Sequence, residues 1–203
     1  YARHFEAVEV NATYYRMPEA GMFERMVRKT PDGFRFVVKL NRAMTHEGSR
    51  DPALYCGFLA ALAPLKEAGR YDGLLAQFPW SFKCTPDHRR HLAAMRVLLD
   101  GEPLFAEFRH DSWLTPELEP SLSEHRIGYC AVDEPALPGL LPPVTMVTAD
   151  DAYVRFHGRN TAAWWARGGQ GGRQGGDRYD YDYREDELRE WVAKVAALAD
   201  QAR

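Results

Sequence analysis

Three cysteines in 203 residues, Cys56, Cys84 and Cys130, are too few and too scattered to carry the fold. No two form a C-x-x-C pair, so neither a disulfide framework nor a zinc clip is expected, and a reducing cytoplasm is the compartment this usage predicts. No run of about 18 apolar residues exists, which argues against a transmembrane helix and a membrane partner. No signal-peptide pattern opens the chain. Neither sign of charge dominates: 26 Lys and Arg face 29 Asp and Glu, for a net charge of −3. A nucleic-acid partner therefore has no support from net charge. Glycine-rich phosphate turns are missing after Asn11, Leu40 and Phe78, and no GxxxxGK[ST] occurs. The chain has no GxSxG elbow and no HxH or HExxH spacing. These absences set the expectation of no nucleotide cofactor and no metal.

What is present is a repeating alternation. Apolar strand-like runs cover Ala7–Asn11, Phe34–Leu40, Gly73–Phe78, Leu104–Arg109, Ile127–Asp133 and Ala152–His157. Helical segments separate them: Gly21–Lys29, Pro52–Glu67, Asp87–Leu99 behind Pro86, and Pro116–His125. A Pro-rich connection runs from Pro135 to Pro143. A final amphipathic helix is expected over Glu185–Arg203, with Leu188, Trp191, Val192, Val195 and Leu198 on one face. Such βα repetition predicts a parallel sheet, and the short Val/Leu/Phe-rich strands suit a sheet covered on both faces. Polar residues end every strand instead of gathering at one switch point. That favours a single-domain (β/α)8 TIM-type barrel over residues 1–203 above an open doubly wound sheet. Eight strands are needed and six are visible. A first and a last strand missing from this chain account for the difference.

The polar strand ends are the chemistry. In Phe105-Ala106-Glu107-Phe108-Arg109 the period-two pattern puts Phe105, Glu107 and Arg109 on one face. Inward charges of this kind are expensive unless paired or used. The same signature recurs at Glu9, Asn11, Lys39, Gln77, Asp133, Arg155 and His157. On a barrel these ends converge on the face where catalytic groups sit. Lys39, Arg109 and Arg155 supply cations for a phosphate or carboxylate, with Asn11, His46, Gln77 and Trp113 as further ligand contacts. Glu107 and Asp133 are the candidate acid/base carboxylates, and His157 is the candidate proton shuttle. Trp113 is expected at the rim. The glycine-rich stretch Gly168–Gly176 reads as a mobile loop, or as a lid bearing Arg167, Arg173 and Arg178.

The order of these motifs is similar to that of a known family. Val8-Glu9-Val10-Asn11-Ala12-Thr13-Tyr14-Tyr15, then Thr30-Pro31 with Phe34–Lys39 and Thr45-His46, resemble the opening blocks of the YecE-like family (domain of unknown function 72). Leu75-Ala76-Gln77-Phe78-Pro79, Glu107-Phe108-Arg109-His110 with Trp113, Asp133, Tyr153–Gly158 and Tyr181–Trp191 follow in that family's order. The resemblance implies a TIM-type barrel. Members open with a Gly-Thr-Ser-Gly-Trp strand and close with a Phe-Asn-Asn strand, and both are absent here, so a chain truncated at both ends is expected. The family supplies no established reaction. Three functions stay open at this point: a site that binds and transforms a small anionic ligand by acid/base chemistry, a metal-assisted phosphodiesterase or nucleic-acid-processing barrel, and a non-catalytic ligand-binding module. The residues alone do not decide whether the chain is an enzyme.

Overall fold

In the computed structural model, residues 1–165 and 177–202 are described. The stretch Gly168–Gly176, with Arg167 and Arg173, lies outside them. Six strands form an α/β sheet whose hydrogen-bonded order is chain order: β1 (Ala7–Val10), β2 (Arg35–Lys39), β3 (Tyr71–Gln77), β4 (Leu104–Glu107), β5 (Ile127–Asp133) and β6 (Tyr153–Phe156). The pairs β1–β2, β2–β3 and β5–β6 are parallel. The chain divides into two compact units, Tyr1–Pro79 with Thr85–Ala106, and Trp80–Cys84 with Glu107–Arg203.

The first unit holds β1 to β3, the start of β4, and the helices α1 (Ala12–Tyr15), α2 (Ala20–Lys29), α3 (Arg42–Thr45), α4 (Pro52–Ala61), α5 (Ala63–Glu67) and α6 (Pro86–Leu98). Its core is built from Phe23, Phe36, Val38, Met44, Phe58, Leu62, Leu65, Leu74 and Met95, all fully buried. Helix starts follow local chemistry. The Asp51 side chain accepts from the Ala53 N–H ahead of Pro52, and Thr85 does the same for His88 ahead of Pro86. The continuous helix expected over Pro52–Glu67 is broken at Leu62, which ends α4 and starts α5. Pro64 explains this: it brings no N–H to the helical ladder and its ring collides with the preceding turn. The short helices α1 and α3 carry no long-range apolar period, so the sequence pattern did not show them. Between β2 and β3 the register shifts, and Gly73 takes φ +131°. A side chain there would meet the Pro103 carbonyl oxygen at 2.8 Å, so glycine is required.

The second unit contains Glu107 at the end of β4, a 3-10 turn at Asp111–Trp113, α7 (Leu118–Glu124), β5, β6, a 3-10 turn at Asp177–Tyr179 and α8 (Glu185–Gln201). All seven residues of β5 are buried, as expected for a strand covered on both faces. On α8, Trp191 and Leu198 are buried with Glu187, whereas Leu188, Val192 and Val195 are exposed. The expected apolar face is thus rotated and narrowed. The rotation follows from polar anchoring, because Glu187 and Trp191 both engage groups that follow or end the strands.

Candidate functional site

The strand ends of the second unit supply one cluster. Parallel register places Val132 beside Arg155 and Asp133 beside Phe156, and the His157 N–H donates to the Asp133 carbonyl at 2.8 Å. Glu107 leaves β4 completely buried. Its Oε1 lies 2.6 Å from Arg109 Nε and 3.2 Å from His157 Nε2, and its Oε2 pairs with Arg155 Nη1. Arg109 Nη1 reaches Glu134 Oε2 at 3.1 Å, and the Leu141 N–H donates to Glu134 Oε1 at 3.1 Å. One guanidinium is therefore held between two buried carboxylates. The approach of Arg109 Nε to Glu107 Oε1 is a charge contact and that of His157 Nε2 a polar one, and none of these three enclosed atoms has a well-aligned hydrogen bond among the described residues.

The electrostatics separate the two carboxylates. Burial alone would raise the Glu107 carboxyl, but Arg109, His157 and Arg155 outweigh it and hold the group well below the usual carboxylate range. Glu107 stays ionised. Glu134 goes the other way: burial, helped by the charge on Glu107 and opposed by Arg109 and the Leu141 N–H, pushes it up to about 7. Burial also lowers His157, with Arg109 and Arg155 adding to that and Glu107 opposing, so the imidazole is neutral at pH 7. With Glu134 ionised the two arginines and two glutamates cancel; with Glu134 protonated the cluster has one excess positive charge. Of the two carboxylates on either side of Arg109, Glu134 is the one that can take up or release a proton near neutral pH.

Four of the residues expected in the site, Glu107, Arg109, Arg155 and His157, are brought together here. Asp133 is not. Along β5, Cys130, Val132 and Glu134 alternate with Tyr129, Ala131 and Asp133, and Cys130 Sγ lies 4.0 Å from Glu107 Oε2. Asp133 turns to the opposite face, where it accepts from Arg159 Nε (2.9 Å) and Nη2 (2.6 Å), Tyr183 Oη (2.7 Å) and Trp191 Nε1 (2.5 Å). Burial would raise its carboxyl, yet the hydrogen bonds from Arg159, Tyr183 and Trp191 bring it down. Four donors make Asp133 an anchor for α8. Trp113 is buried at 3% exposure, stacked near Phe108 and Phe82 with its N–H on the Phe82 carbonyl at 2.6 Å, so it lies in packing and not at an exposed rim.

The remaining expected residues belong to the first unit. Asn11 donates to Glu9 at 2.7 Å, and Gln77 Nε2 donates to the neighbouring Phe78 carbonyl. Lys39 Nζ sits 4.7 Å over the Tyr14 ring, and His46 packs edge-on to the same ring at 5.0 Å. Glu134 and Arg159 were not singled out by sequence reasoning. The run Val132-Asp133-Glu134 offers two adjacent carboxylates, and period two assigns them to opposite faces. Nothing in an all-apolar strand says which face is which. Among the described residues, no group of three or more His, Cys, Asp or Glu is arranged to hold a metal ion.

Comparison with known proteins gives a consistent result. A family model described as "Protein of unknown function DUF72" matches residues 1–203. The chain is 31% identical to UPF0759 protein YunF of Bacillus subtilis, over all of this chain and 76% of that protein. It is 33% identical to UPF0759 protein YecE of Escherichia coli K12 over 51% of this chain and 36% of that one. Among solved structures, a DUF72 family protein of Thermotoga maritima superposes with a TM-score of 0.86 at 38% identity, covering 98% of this chain and 75% of that chain. One from Enterococcus faecalis superposes at 0.89 with 27% identity, over 100% and 77%. With the family match running from the first residue to the last and through every strand end of the cluster, the chain belongs to the DUF72 family.

Proposed function

We propose that the cluster of Glu107, Arg109, Glu134, Arg155 and His157 binds a small anionic ligand bearing phosphate or carboxylate, and that it moves a proton on that ligand through Glu134. The observation that carries this reading is Arg109 held between an ionised carboxylate and one that titrates near neutrality. An anion arriving at the guanidinium favours the protonated form of Glu134, so ligand charge is exchanged for carboxylate charge. Glu107 then acts as the fixed counter-ion that orients Arg109, Arg155 and His157. Neutral His157 is the second proton-carrying group. Sequential strand order and parallel pairing support a wider (β/α)8 barrel of which these six strands are part, with the cluster at its strand ends. A cytoplasmic location is part of this proposal; among the described residues, no helix is long and apolar enough to cross a membrane.

The test is a thermal-shift and calorimetric series with sulfate, phosphate and small carboxylates. Wild type is expected to be stabilised by at least one of them, and Arg155→Ala to lose most of that stabilisation while its circular dichroism is unchanged. Equal shifts in both proteins with every anion would remove the reading.

A further inference from the structure

Two groups of aromatic side chains in the second unit join along the chain at Trp164 and Trp165, and one of them reaches the charged cluster at His157. The Tyr179 ring lies 5.8 Å from His157 and 6.2 Å from Trp164. Next along the chain, Trp165 meets Trp80 at 5.5 Å and 75°, and Trp80 meets His110 at 4.9 Å. His110 follows Arg109 in the chain, and the far end of the joined groups lies against His157 of the cluster. A second link closes the same path. Trp80 Nε1 donates to the Gly139 carbonyl at 2.9 Å, and two residues on, the Leu141 N–H holds Glu134. Gly139 takes φ +80°, and its missing side chain leaves Trp80 within van der Waals reach of the loop. Trp164 is packed at 3% exposure, but packing does not account for the other rings. Trp80 is 38% exposed, and Trp165 and Tyr179 are each 50% exposed. Lys83 Nζ stands 4.9 Å over Trp80 and Arg178 stands 5.8 Å over Tyr179, which adds positive charge along the same wall.

We infer that the ligand of this cluster is a small anion carrying a flat-faced ring, its charged group at Arg109 and Arg155 and its ring against Trp80 and Trp165. The inference rests on the reading of the cluster as an anion site. Exposed indole faces supply large apolar contact with little conformational entropy to lose, and they accept either the apolar face of a sugar or a nucleobase. A ring-less anion would use the arginines and leave the indoles in water.

Calorimetry with inorganic phosphate, glucose 6-phosphate and adenosine monophosphate separates the possibilities. At least one ring-bearing phosphate is expected to bind ten-fold or more tightly than inorganic phosphate. Trp80→Ala and Trp165→Ala are expected to erase that excess while phosphate affinity stays within about two-fold, and quenching of tryptophan fluorescence should accompany ring binding. The better of the two ring-bearing probes identifies sugar or base. Phosphate binding with no gain from the ring, or a gain untouched by both tryptophan substitutions, overturns the ring inference and leaves the anion reading standing. No binding by any of the three probes, with melting unchanged, overturns both.

Discussion

Glu134 and Glu107 are the same residue type a few ångströms from the same guanidinium, and they titrate in opposite directions. Glu107 has three positive or polar partners within 3.2 Å, whereas Glu134 shares one arm of Arg109 and one backbone N–H. The number of partners decides whether attraction outweighs desolvation. The raised carboxyl of Glu134 gives stability that is fully present below about pH 4.5 and is lost as pH rises to about 7, because the folded state holds the proton longer than the unfolded chain. His157 has the opposite sign: its lowered value gives stability above the ordinary histidine range, lost as pH falls through it. The two therefore offset each other in wild type just below the ordinary histidine range. Glu134→Gln exposes the difference. Its stability relative to wild type should improve from pH 5 to pH 8, by up to about 3 kcal/mol for a shift of this size, as read from urea midpoints. A relative stability flat with pH would remove the titration assigned to Glu134. Glu107→Gln removes the buried carboxylate that Arg109 and Arg155 share and should cost about 3–5 kcal/mol by the same measurement. A change below 1 kcal/mol would mean that Arg109 and Arg155 are solvated and not held by Glu107.

Helix α8 and the turn after β6 form a second layer of dependence. Arg159 bridges Asp133 and Glu190, Tyr183 joins Asp133 to the Gly158 N–H, and Trp191 closes the same carboxylate. One strand-end aspartate thus fixes a 17-residue helix and the segment leading into it. Asp133→Ala should destabilise the protein by about 3 kcal/mol and raise amide exchange throughout α8, while sulfate affinity of the folded fraction changes little. Lost sulfate affinity with normal exchange would return Asp133 to the ligand site. Gly158 takes φ +82°, and an added side chain would lie 2.6 Å from Tyr181 Cβ. Gly158→Ala should therefore cost about 1–3 kcal/mol through strain and clash together. A melting temperature equal to wild type would show that the turn relaxes freely.

At the scale of the molecule, the element order was legible because apolar runs bounded by turn residues alternate with helical periods. Five of the six strands lie within a predicted run, β3 begins two residues ahead of its run at Tyr71, and the largest departure among the helices, at Leu62, follows from a proline the pattern ignored. The cluster was legible where a strand carried two charges at spacing two, as in Glu107 and Arg109, or followed a half-polar strand, as in Arg155 and His157. It was not legible on β5, whose seven buried residues give no amphipathic signal to orient Asp133 and Glu134. Trp113 shows the same limit: position after a strand does not distinguish an indole facing solvent from one packed near Phe108 and Phe82. The most direct test of the central claim, a proton-linked anion site at Arg109, is calorimetric titration of sulfate at pH 8 in two buffers of different ionisation enthalpy. The account predicts saturable binding with uptake approaching one proton per sulfate, and loss of that uptake in Glu134→Gln. Binding with no proton uptake in wild type, or no saturable binding at all, would contradict it.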